Sequence, residues 1–212
     1  MQAIGTTYAP NLRLVWTQDF LARLSPAERS AATGLRLELP LFGLRHAPLE
    51  FYSVPDERRV VIPLASVKFL DDIAVAHAYD EKSGCDLGAV SGYAAALRFS
   101  RHAPTGSPLA ALGVPPEALT DPDVDDVAMK MLKSTVFFVM AHEYAHLLHR
   151  HRSYAKLDAG QAQQQEMQAD DFALDVMRRI GVPPIALGFF FLVSSRLEPS
   201  PGDFATAGQY EA

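Results

Sequence analysis

Between Pro122 and about His151 the chain reads as one helix, apolar nearly all round from Val136 to Leu148, and this run constrains the fold more than any other. Asp121 offers a cap, Pro122 suits the first helical position, and acids follow in the first turn. Val136 to Ala141, Ala145, Leu147 and Leu148 leave little polar face for solvent, so the helix is expected to continue to about His151 at the centre of a core. The same run carries "HEYAH". Imidazoles inside a core need partners. His142 and His146 are four apart and share a face one turn from each other. Two imidazoles so placed reach a zinc ion about 2.0–2.1 Å away. Glu143 is rotated from His142 by about 100° and is not an equivalent ligand. It can lean over the open side of the metal and hydrogen-bond a water there. This is the H-E-x-x-H arrangement, with a mechanical reason for each fixed position. The alternative is a pair of core histidines satisfied by ordinary hydrogen bonds.

A third protein ligand is needed. The longer H-E-x-x-H-x-x-G-x-x-H pattern would put glycine at 149 and histidine at 152, but the chain has His149 and Arg152. "QEMQADDFALDVMRRIG" supplies another candidate. Glu166 and Asp170 share a helix face that is expected to continue through Ala173, Leu174, Met177 and Ile180, so both acids point toward the core. Carboxylates rarely go inside unless paired or metal-bound. Glu166 then reads as the third zinc ligand, and Asp170 as the acceptor of a hydrogen bond from a ligating histidine. Ala169 is small where the two helices must approach, and Asp171 lies round the helix in solvent. The alternative is an ordinary surface acid pair. His149 and His151, with Arg150 and Arg152, are expected at the helix C-terminus as cations facing the macrodipole. Tyr154 and Tyr210 carry hydroxyls suited to an oxyanion, though no sequence signal places either. Cys85 reads as an inert thiol rather than a blocker of the metal.

"HEYAH" followed by "EMQAD" resembles the gluzincin metallopeptidases, which pair H-E-x-x-H with a downstream E-x-x-x-D. The segment "EMQADDFALDVMRRIGVPPIALGFFFL" is similar to the HtpX-like branch, with its E-x-x-A-D, G-x-x-P turn and aromatic-rich helix. The resemblance covers roughly Asp126 to Leu197. It implies His142, His146 and Glu166 as ligands of one zinc ion, Glu143 as general base and Asp170 as orienter. It also implies a zincin-like α+β fold with a strand edge beside the cleft, for which "RRVVIP" is the candidate. HtpX-like proteins usually carry transmembrane helices. The longest apolar run here, Ile185 to Val193, is far short of the roughly 20 residues a spanning helix needs.

The rest of the chain sets limits. A net charge of −6 without basic clusters argues against nucleic acid as a partner. One cysteine excludes an internal disulfide, and "MQAIGTTYAPNLRLVW" lacks a secretory pattern, so a cytoplasmic location is expected. Short helices are expected over Thr17 to Leu24 and Ser25 to Ala32, the second opened by a capping box of Ser25 and Glu28. "LRLEL", "LEFYSV" and "RRVVIP" read as strands, the last two a hairpin across "PDE". Helices are expected over Ser66 to Tyr79, Ala89 to Phe99, Gln161 to Ile180 and Pro184 to Leu197. An irregular connection of about 80–121 is read inside one domain, 1–212, and its part from Arg101 to Asp121 as either a passive surface connection or a lid over the cleft. The expected activity is zinc-dependent hydrolysis of peptide bonds in a protein or peptide substrate. The alternatives are a non-enzymatic zinc-bound interaction module and a regulatory protease of the ImmA/IrrE type. No sequence signal sets the oligomeric state.

Overall fold

The computed structural model describes residues 2–44, 47–84, 88–99, 107–153 and 157–197. Ile4, Tyr8, Leu12, Trp16, Phe20 and Leu24 recur at every fourth position and lay the start of the chain on the core. Helix α1 (Gln2–Leu14) runs directly into a π-helical segment, Val15–Phe20. A four-residue row drifts about 40° per step around an ordinary α-helix. The wider π turn takes up that drift and keeps Trp16 and Phe20 buried in line with Leu12 and Leu24. The helix expected from Thr17 is therefore the π and 3₁₀ end of a longer element. Helix α2 (Pro26–Ala31) opens with the expected capping box: Ser25 N–H donates to Glu28 Oε2 (2.6 Å), and Glu28 N–H to Ser25 Oγ (3.3 Å).

Strands β1 (Arg36–Glu38), β2 (Tyr52–Val54) and β3 (Arg59–Val61) form a sheet of order β1-β3-β2. The hairpin of β2 and β3 is as expected, closed by a 3₁₀ turn and by Arg58 in the left-handed region. The edge assignment is corrected. β3 pairs with β1 as well as β2, so "RRVVIP" is the middle strand, and the edge near α6 is β2. Val60, Val61 and Ile62 are all buried, the continuous apolar run of a strand covered on both faces.

Helix α3 (Leu64–Ser83) is longer than expected at both ends and stops at Gly84 in the left-handed region. Helices α4 (Ala89–Phe99) and α5 (Pro108–Ala111) follow. The lid expectation fails for the described residues 107–121. Leu109, Leu112 and Val114 pack with Phe69, Leu70 and Ile73 of α3, and none of 107–121 borders the cleft described below. Three apolar side chains in an otherwise irregular segment are better buried on α3 than left over solvent. Residues 101–106 of that segment, Cys85, Tyr154 and Tyr210 lie outside the described residues.

Helix α6 (Pro122–Leu148) starts where expected, with the Asp121 carboxylate accepting from the N–H groups of Asp123 and Val124. It packs on α3 and on helix α7 (Ala159–Ile180), and Phe137, Met140, Ala141 and Ala145 are fully buried. The α7 face also differs from expectation. Ala162, Ala169 and Val176 recur every seven residues and are buried, whereas Leu174 is 40% exposed. Leu174 follows Ala173 by one residue, about 100° round the helix, and falls off a seam built from small side chains. Helix α8 (Leu187–Leu197) closes the described chain. The whole is mostly helical with one small sheet, compatible with α+β. Among the described residues no helix is long and apolar enough to cross a membrane.

Candidate metal centre

The alanine seam lets α7 approach α6 closely enough for short side chains to meet across it. His142 Nε2 lies 3.1 Å from His146 Nε2 and 3.3 Å from Glu166 Oε2, and His146 Nε2 lies 3.4 Å from Glu166 Oε1. The three side chains thus offer one donor atom each around one point and could hold a metal ion. The other nitrogen of His142, Nδ1, lies 2.9 Å from Asp170 Oδ1, one turn beyond Glu166 on α7. A carboxylate accepts there, so the Nδ1 carries a proton. Glu166 and Asp170 line the mouth of a cleft and are partly exposed rather than sunk in the core. Asp171 is exposed, as expected.

His146 is held differently. Its Nδ1 lies 2.8 Å from Nδ1 of His151, whose Nε2 lies 3.1 Å from Gln168 Oε1. His151 is only 8% exposed, and burial lowers its pKa, so it is not the solvated cation expected at a helix terminus. The chain turns back because Arg150 adopts φ 55°. His151 N–H donates to the His146 carbonyl (2.9 Å) and Arg150 N–H to that of Leu147 (3.3 Å), the two bonds of a Schellman motif. Gln165 clasps the next residue: Arg152 N–H donates to its Oε1 (2.8 Å) and its Nε2 donates to the Arg152 carbonyl (3.1 Å). His149 stacks on His151 from the exposed side.

The two rings of one motif are driven apart electrostatically. Burial disfavours charge on His142, but hydrogen bonds to Asp170 and Glu166 and the charges of Glu143 and Glu166 outweigh it and push the pKa up to about 10. At His146 burial dominates, followed by repulsion from His142, and the pKa is pushed down to about 3. A point surrounded by such demand for positive charge suits a cation, which displaces the proton on binding. Glu143 is 8% exposed, and burial pushes it up to about 7 against the pull of His142 and the hydrogen bonds that Ser53 of β2 donates to it.

His142, Glu143, Glu166 and Asp170 form the polar end of a cleft of about 500 Å³. Its other walls are mostly apolar: Pro48, Leu49 and Phe51 before β2, Phe138 and Val139 of α6, and Phe190, Phe191 and Leu197 of α8, with Ser194 of α8 a polar exception. The structure therefore brings together all five residues expected from the sequence. Sequence reasoning missed Ser53, His151 and Gln168. Ser53 carries no signal in a short strand. Gln168 lies between Glu166 and Asp170 without a pattern of its own.

Residues 94–179 match a family model described as Peptidase U49. The matched stretch contains His142, Glu143, His146, Glu166 and Asp170. It supports a peptidase, with a proteolytic function and a protein substrate. No curated protein and no solved structure matches the chain.

Proposed function

We propose that this chain is a zinc-dependent endopeptidase of the HtpX-like gluzincin type, one zincin-like domain in which His142, His146 and Glu166 ligate the ion. The observation that carries the reading is the convergence of one donor atom from each of the three side chains, all within 4.8 Å of one another, with the two Nε2 atoms 3.1 Å apart and each within 3.4 Å of a Glu166 carboxylate oxygen. Ligands at tetrahedral corners about 2.0–2.1 Å from zinc stand about 3.3–3.4 Å from one another. Structural zinc sites close with a fourth protein ligand, whereas three ligands facing a cleft fit a catalytic site. That favours an enzyme over a non-enzymatic module.

Bound zinc supplies Lewis acidity toward a water and toward the scissile carbonyl. Glu143 takes the proton of the attacking water and returns it to the leaving amine. Ser53 holds the Glu143 carboxylate, and Asp170 fixes the His142 ring. The edge strand β2 beside α6 can align an extended peptide, with its side chains against the apolar walls of the cleft. Glu143→Gln is expected to keep the fold and the zinc while peptide hydrolysis falls by about 10²–10⁴-fold, since the amide cannot accept the proton. Full turnover by a zinc-loaded Glu143→Gln would overturn the mechanism.

A further inference from the structure

We propose that His151 is a positioning residue for the metal site. Its Nδ1 accepts the Nδ1–H of His146, and this selects the tautomer in which the His146 Nε2 lone pair faces the ion. The inference rests on the zinc reading above but concerns a residue that reading does not use.

Gln168 Oε1 can only accept, so His151 Nε2, 3.1 Å away, carries a hydrogen. A neutral imidazole with Nε2–H has a bare Nδ1. The group facing that Nδ1 at 2.8 Å is Nδ1 of His146, which must then be the donor. With its proton on Nδ1, His146 presents a bare Nε2 toward His142 and Glu166. The opposite tautomer would put hydrogen on the ligating atom.

The backbone is arranged to hold this geometry. Had α6 continued through residue 151, that side chain would point about 140° away from His146. The left-handed Arg150 folds the chain back instead, and the rings meet with centroids 4.9 Å apart, buried to 7% and 8% exposure. Gln165 clasps the backbone of Arg152, and Gln168 holds the far side of the His151 ring. Helix α7 thus serves each ligating histidine: Asp170 holds His142 directly, and Gln168 holds His146 through His151.

Zinc affinity, measured by competition with a chromophoric chelator, discriminates three variants. In His151→Asn the side-chain oxygen takes the place of Nδ1, and the affinity is expected to stay within about threefold of wild type. In His151→Leu no acceptor remains, and a loss of roughly 10–100-fold is expected, as for other groups behind a ligand. His151→Gln carries its polar atoms one bond too far, near the former Nε2, and is expected to behave like leucine. Equal affinities for the asparagine and leucine variants would overturn the proposal. The second readout needs neither metal nor variant. Nitrogen-15 histidine NMR of the metal-free protein is expected to show hydrogen on Nδ1 of His146 and on Nε2 of His151. Hydrogen on Nε2 of His146, with Nδ1 bare, would refute the relay. A wild-type protein that fails to bind zinc would refute the proposed function, and the tautomer would still decide this inference separately.

Discussion

His142 and His146 stand one turn apart on α6, yet the two sides of the site are built from different chemistry. On the His142 side a charged carboxylate reaches directly across from α7, and it raises the basicity of the ring. On the His146 side a neutral, buried imidazole does the holding, backed by an amide. The carboxylate side strengthens a ligand and raises the demand for positive charge. The imidazole side adds no charge and fixes a tautomer. One charged and one neutral orienting group let a single helix turn aim two Nε2 atoms at one point without a further buried acid.

Three substitutions test that contrast, in descending order of effect. His146→Ala removes a proposed zinc ligand. Metal analysis after dialysis is expected to find the protein essentially zinc-free and peptide cleavage lost, with circular dichroism still helical. Zinc content equal to wild type would remove His146 from the ligand set. Asp170→Asn keeps an acceptor for His142 Nδ1–H but deletes the charge. Zinc affinity is expected to drop about 10–100-fold, more than in His151→Asn. The reverse order would show that charge is not what separates the two sides. Arg150→Gly relieves a left-handed conformation that costs an ordinary residue about 1–2 kcal/mol, against a gain in unfolded-chain freedom of about 0.5–1 kcal/mol. Urea denaturation is expected to show a stability increase of about 0.5–1 kcal/mol with unchanged zinc affinity. A loss of affinity would mean that the Arg150 side chain itself contributes to the site.

The same contrast explains what the sequence revealed. The three metal-facing residues and the carboxylate behind them are regular: His142, His146, Glu166 and Asp170 sit on two long helices, where a spacing of four fixes a shared face. Asp121 and Gly181 marked two ends of those helices by ordinary capping chemistry, whereas the Asp158 cap went unread and α7 was expected only from Gln161. The imidazole side depends on a reversal after Leu148. Glycine normally marks such a stop, and Arg150 stands there instead, so the helix read as continuing to His151 and the ring as a solvated cation. The role of Ser53 depends on which strand is the edge, and three short strands do not declare their order. The π-helical turn after Leu14 went unread, because the four-residue apolar row from Ile4 to Leu24, which an α-helix cannot keep on one face, was not recognised as one element.

His142, His146 and Glu166 are proposed to hold one catalytic zinc ion. The most direct test strips the protein with a chelator and returns zinc stepwise while cleavage of an unstructured peptide library is followed. Cleavage is expected to be absent at the start, to rise in proportion to zinc and to level off at about one equivalent, with no rise in a Glu166→Ala protein. Cleavage by the stripped protein, or none from wild type with zinc bound, would contradict it.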